Sequence, residues 1–262
     1  MEFSINSLGE LIDRVTPDDP NSETGHWRTA CVYHGSADAE WPLLTSLDRL
    51  GGITPPHSKA HLEAHILRHF LRYARPYLSG RQIDEWEILM TAQHYGVPTR
   101  LLDWTYSPLI AAHFATAGQR KGIAAAIWQL DWRQLHQAFD LPQLALLVTD
   151  LQRLFDDQRF FTPWQLFERR DPDKPFACLI EPPAFDLRLV AQSAAFTLCS
   201  DTRQSFDSFL NQQELSGALT KYVIPAAEIG RVRDQLDLVG IDERRLFSDL
   251  GGLASELRRY YG

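Results

Sequence analysis

Two pairs of residues punctuate the middle of this chain and limit what it can fold into: Gly96 with Pro98, and Ser107 with Pro108. A glycine supplies the left-handed backbone that ends a helix, and a proline shortly after it cannot continue one. Ser-Pro works the other way. The hydroxyl caps the orphan amides of a first turn, and proline at the first helical position forfeits no hydrogen bond. The pattern predicts one helix over 84–96, another over 107–118, and a short connection, RLLDWTY (100–106), between them. That connection holds Arg100, Asp103, Trp104 and Tyr106. A core element does not need so much polar and aromatic chemistry, whereas loops that gather it carry function.

The remaining pattern mixes helices with strands. Ser7 followed by Glu10 has the form of a capping box for a helix over LGELIDRVT. WRTACVYHG (27–35) is rich in β-formers and predicts a strand. SKAHLEAHILRHFLRYARPYL (58–78) predicts a long helix with an apolar stripe of Leu62, Ile66, Phe70, Tyr73 and Tyr77, and with Glu63, Arg68, Arg72 and Arg75 pointing elsewhere. GIAAAIWQLDW (122–132) is a continuous apolar strand, expected to be buried on both faces. Residues 133–175 are mostly helical and charged. FACLIEP and AAFTLCS predict strands on either side of a short helix or turn, FDLRLVAQ. KYVIPAAEIGRVRDQLDLVG reads as a strand and then a helix, and the tail as a final helix after a loop. No regular βαβ alternation is present, so the expected class is α+β with a mixed or antiparallel sheet surrounded by helices. The expected organisation is a leading helix and linker over 1–24 and one domain over 25–262. That domain carries a helical insertion at about 133–175 and a closing strand and helices at 219–262.

Composition narrows the partners. With 26 Lys and Arg against 34 Asp and Glu, the net charge of −8 argues against a protein-wide pull on nucleic acid. Cys31, Cys178 and Cys199 form no CxxC, which fits small core residues in a reducing compartment. The first residues lack a basic and then apolar leader, and no apolar run reaches membrane length. The expectation is a cytoplasmic protein with no membrane partner.

Several candidate sites stand out. In VYHGS (32–36), Gly35 after His34 allows close backbone approach to a planar amide, and the imidazole can bond a ribose hydroxyl; the bland alternative is a simple strand end. Arg100 and Asp103 either brace their loop as an ion pair or do chemistry, and Trp104 and Tyr106 offer rings that can stack. His61, His65 and His69 recur at i, i+4 and i+8, which can ligate a metal, but no Glu or Cys completes the shell, and a polar helix edge is the plainer reading. Arg188 and Gln192 lie one helical turn apart, ahead of small residues. No GxSxG elbow, P-loop or GxGxxG is present.

Together these blocks resemble the FRG domain family. QHYGVPTRLLDWTYSPLIAAHFA is similar to its signature block, YHGSADAEWPLLTSLDRL to its opening segment, LRLVAQSAAFTL to its Arg-Ile-x-x-Gln block and GIDERRLFSDLGGLASEL to its closing block. The likeness runs from about Trp27 to Leu257. His34 replaces the naming Arg, and Ala194 replaces a Gly. With His34, Tyr33-His34-Gly35-Ser36 also resembles the first motif of ADP-ribosyltransferases. That second resemblance implies an ADP-ribosyltransferase-like sheet and NAD as a substrate. It implies NAD contacts from His34, Gly35, Arg100, Trp104 and Tyr106, and catalysis by Asp103, Gln192 and His34. Gln192 stands where such enzymes carry a catalytic Glu, leaving Asp103 and Glu181 as the nearby carboxylates. The implied function is transfer of ADP-ribose to a protein or nucleic-acid acceptor, or NAD hydrolysis, by a bacterial toxin or phage-defence effector with an antitoxin or regulatory partner. A non-catalytic nucleotide- or partner-binding module is the alternative. A metal-dependent nuclease using His61, His65, His94 and Asp103 is a second one.

Overall fold

The structure, a computed structural model, describes all residues except 21, 23–24, 28, 52–57, 79–83, 119–121, 156–162, 164–174 and 262. Among the described residues, seven strands form one sheet: β1 (Glu2–Ser4), β2 (Cys31–Ser36), β3 (Leu101–Thr105), β4 (Ala125–Asp131), β5 (Ala177–Ile180), β6 (Ala194–Cys199) and β7 (Leu219–Ile224), in the order β1-β7-β4-β2-β3-β6-β5. The β1–β7 pair is parallel and the other pairs are antiparallel, so the sheet is mixed. The α+β expectation holds at that level.

One joint in this sheet is weak. β2 pairs with β4 at six positions, Cys31 to Ser36, but with β3 only at Tyr33 opposite Thr105. A ladder that ends after one pair lets its strands part, and backbone left without a ladder must find other partners. The sheet is in effect two halves, β1-β7-β4-β2 and β3-β6-β5, joined at one residue pair.

Eleven α-helices of the described residues surround it: α1 (Leu8–Val15), α2 (Lys59–Ala74), α3 (Glu85–His94), α4 (Pro108–Ala117), α5 (Trp132–Ala138), α6 (Val148–Phe155), α7 (Leu187–Ala191), α8 (Phe206–Gln212), α9 (Ile229–Leu238), α10 (Glu243–Phe247) and α11 (Leu250–Tyr261). No helix among the described residues is long and apolar enough to cross a membrane. Strand alternation feeds separate cores. Val32 joins Leu102, Trp104 and Phe209 on one side, while Cys31 and Tyr33 join Ile5, Leu11 and the alanines of α4 on the other. Leu89, Leu101, Phe176 and Phe196 form a third cluster beside the β3-β6-β5 half.

The punctuation acts as expected. Ser107 Oγ accepts from the Ile110 amide at the start of α4, and Pro108 opens that helix. Gly96, at φ 78, follows the end of α3, and the Val97 amide reaches back to the Ala92 carbonyl. Ser7 caps α1, but Glu10 bonds the Asn6 amide rather than that of Ser7, one residue off a standard box.

Other expectations shift. Residues 1–24 are not merely a leader. β1 adds to β7, and Ile5, Leu8 and Leu11 are buried in the shared core. On α2 the buried positions are Glu63 and Leu67, whereas Tyr73 is exposed, as is Tyr77 in the 3-10 turn after the helix. The stripe turned because Glu63 has a buried partner. The tail is two helices, broken where Ser248 adopts a left-handed backbone. In the expected insertion, α5 and α6 are helical, and its later part lies largely outside the described residues.

Candidate functional site

Where β2 and β3 part, a cleft of about 640 Å³ opens. Its wall includes His34, Gly35, Asp103, Trp104 and Gln192, drawn from β2, β3 and the end of α7. Three stretches distant in sequence therefore meet in one place.

His34 bridges the seam. Its Nδ1 lies 2.7 Å from the main-chain oxygen of Asp103. A carbonyl can only accept, so Nδ1 carries the proton and Nε2 keeps a lone pair. Burial pushes the pKa down to about 4, with the Arg49 charge adding to the effect against the Asp103 hydrogen bond. The ring is neutral at pH 7 and can accept a hydrogen bond from a ligand hydroxyl.

Asp103 occupies the centre of β3, between the buried Leu102 and Trp104. Its side chain is exposed on the cleft wall. Desolvation by the protein packed around the cleft pushes its pKa up to about 6, although Gln93, Arg49 and Arg188 all act to lower it. Gln93 Nε2 donates to Oδ2 at 2.8 Å.

Gln192 caps the end of α7, just before Ser193 turns through a left-handed φ of 47° into β6. Its carbonyl accepts from Thr105 Oγ1 at 2.7 Å, and its Nε2 donates to the Leu246 carbonyl at 3.1 Å. The side chain is thereby held against α10.

Other candidates take different roles. Gly35 lines the cleft, but its lack of a side chain serves the packing of α4. A Cβ there would lie 2.1 Å from the Ala111 carbonyl oxygen and 2.6 Å from the Ala115 amide nitrogen. Arg100 does not pair with Asp103. It is 2% exposed, lies outside the cleft wall, and binds the fully buried Glu63, with Nε to Oε2 at 2.6 Å and its amide to Oε1 at 2.7 Å. An arginine closed into that pair braces α2 against β3 and is not placed to touch a cleft ligand. Trp104 is buried, donates Nε1–H to Thr197 Oγ1 and meets His34 edge-on at 5.8 Å, so it forms wall rather than an open stacking platform. Tyr106 lies outside the cleft wall and donates its hydroxyl to Glu181, which removes both from the cleft chemistry.

The fold also brings here residues that stood outside the candidate NAD site, Arg188 and His94 having been singled out for other reasons and Arg49, Trp41 and Tyr95 not at all. Arg49 and Arg188 both line the cleft, the latter stacked 4.5 Å from the Phe247 ring centre. Arg49 was visible in the SLDRL segment and Arg188 in LRLVAQ, but nothing local told which way either pointed. Trp41 and Tyr95 add exposed rings. His94 also lines the cleft and pairs with Asp186 at 3.1 Å. Among the described residues, no three His, Cys, Asp or Glu side chains gather as metal ligands, and the His61, His65, His94 and Asp103 set is not one cluster.

Residues 29–123 match the family model of the FRG domain. Over that stretch the chain is similar to the FRG domain. The matched residues hold β2, β3 and α4, and with them His34, Arg49, Gln93 and Asp103. Arg188 and Gln192 come from beyond the match, as do the blocks at 187–198 and 240–257 that resemble later FRG segments. No curated protein and no solved structure matches the chain.

Proposed function

We propose that the cleft takes NAD and breaks the bond between its nicotinamide and ribose, passing ADP-ribose to a protein, a nucleic acid or water. The observation that carries this reading is the meeting of His34, Asp103 and Gln192 with Arg49 and Arg188 in one cleft of about 640 Å³. That volume suits a ligand of dinucleotide class. Two guanidinium groups in a chain of net charge −8 mark where a diphosphate would be held. His34 Nε2 is an acceptor for a ribose hydroxyl.

The chemistry follows from the carboxyl. Nicotinamide departs with the bonding electron pair and becomes neutral, leaving positive charge on the ribose. An ionised Asp103 on the cleft wall is suited to stabilise that charge. The acceptor then bonds to the ribose carbon and loses a proton. A carboxyl with its pKa near 6 can take that proton at neutral pH. Trp41 and Tyr95 take over the stacking role first expected of Trp104 or Tyr106. A toxin or defence effector, with a partner that restrains it, is the biological setting that fits such chemistry.

One feature favours a second reading, binding without turnover. Gln192 is an uncharged amide tied to the Leu246 carbonyl, where the transferase likeness calls for a carboxylate. Measuring NAD binding and nicotinamide release on the same protein separates the two. Saturable binding with no release supports the binding module. Absence of both removes each reading.

A further inference from the structure

We infer that Gln93 is a positioning residue for Asp103, the last link of a one-way hydrogen-bond chain that begins at a backbone amide and ends on the cleft carboxylate. The Leu101 N–H donates to Thr99 Oγ1 at 3.1 Å. A backbone N–H has no other option, so this first bond fixes the direction of those that follow. With its oxygen accepting there, Thr99 turns its own hydroxyl proton to Gln93 Oε1 at 2.6 Å. Ser46 Oγ accepts from the Thr99 amide at 3.0 Å, and its one proton faces both the Thr99 carbonyl at 3.3 Å and the same Oε1 at 3.5 Å, so the Thr99 hydroxyl is the bond that orients the Gln93 amide. The nitrogen end must then face the other way, and Nε2 donates to Asp103 Oδ2 at 2.8 Å.

Each donor in this chain points toward Asp103, and the arrangement favours its ionised form. The reverse orientation of the Gln93 amide would aim its oxygen at a carboxylate and leave the Thr99 proton without an acceptor. Thr99 is fully buried and Gln93 nearly so, which makes a misdirected group costly. Among the described residues, only Oδ2 is engaged in this way, so the second oxygen of Asp103 stays available to the cleft. Both ends of the chain lie on β3 and its middle passes through Gln93 near the end of α3, with the Gly96-Val97-Pro98 turn in the connection between the two elements.

The inference rests on the proposed role of Asp103, but its test does not need turnover. Titration of the Asp103 carboxyl by carbon NMR reads the relay directly in wild type, Gln93→Met, Thr99→Val and Thr99→Ser. Gln93→Met is expected to raise the midpoint above its starting value near 6 by roughly one unit, the worth of one hydrogen bond to a charged acceptor. Thr99→Val is expected to move it the same way, and Thr99→Ser, which keeps the hydroxyl, to leave it in place. Circular dichroism identifies any variant that fails to fold. An Asp103 midpoint unchanged in folded Gln93→Met overturns the relay, whether or not the protein releases nicotinamide. A shifted midpoint in a protein that neither binds NAD nor releases nicotinamide keeps the relay and removes the functional reading. If nicotinamide release occurs, its pH profile in Gln93→Met is expected to move with the midpoint.

Discussion

The imidazole Nδ1 of His34 lies 2.7 Å from the main-chain oxygen of Asp103, in the gap where β2 and β3 cease to pair. A side chain thus bridges the two strands where the ladder between them is missing. The bond also dictates the tautomer. Nitrogen NMR is expected to show neutral, Nδ1-protonated His34 from pH 5 to 8, in keeping with a pKa pushed down to about 4 by burial. A midpoint near the usual 6.5 would show that the ring is solvated and free of the carbonyl.

Gly35 offers a stability test that also warns against a misreading. Gly35→Ala would drive a methyl into the Ala111 carbonyl and the Ala115 amide of α4. Overpacking of this kind costs about 3 kcal/mol, because backbone rather than a flexible side chain must move. Chemical denaturation is expected to show the loss. Inactivity of this variant would then report a displaced α4, not a lost ligand contact. A variant as stable as wild type would mean α4 can retreat without cost.

The buried Glu63–Arg100 pair makes the opposite kind of prediction. Glu63→Ala leaves a buried guanidinium without its carboxylate and is expected to cost about 3–5 kcal/mol. Replacing both residues together, as Glu63→Leu with Arg100→Met, is expected to recover most of that loss. Ligand affinity measured on the folded double variant is expected to match wild type. A large fall in affinity would return Arg100 to the binding site.

Asp103 ties pH to stability. Its pKa in the folded protein, about 6, is raised from the ordinary 3.8, so the folded state holds this proton more tightly than the unfolded state. Its contribution to stability is fully present below about pH 3.8 and is lost as pH rises through about 6. Asp103→Asn cannot titrate. Relative to wild type, it is expected to gain stability between pH 4 and pH 7 in thermal melts at constant ionic strength. A difference that stays flat over that interval would mean the carboxyl has a normal pKa.

How much of this was legible depended on range. Ser107-Pro108 and Gly96 announced their helix boundaries because caps and left-handed turns are local physics. Strand β1 escaped, since three residues become a strand only by adding to β7 more than two hundred positions later. Glu63 was misread for a similar reason. Its helix periodicity is ambiguous, and only the distant Arg100 explains a buried carboxylate. His34 and Asp103 were identifiable as candidates from their segments, and their meeting required the strand order. Arg49 and Arg188 were present in quoted blocks, but the direction in which a long basic side chain points is set by tertiary packing.

The most direct test of the central claim is to titrate NAD calorimetrically into wild type, His34→Ala and Asp103→Asn, with nicotinamide release quantified in the same samples. The account expects saturable binding and release from wild type. It expects weakened binding in His34→Ala, and in Asp103→Asn near-normal binding with release reduced by roughly a hundredfold or more, as for loss of one charge-stabilising group. A folded wild-type protein that neither binds NAD nor releases nicotinamide would contradict it.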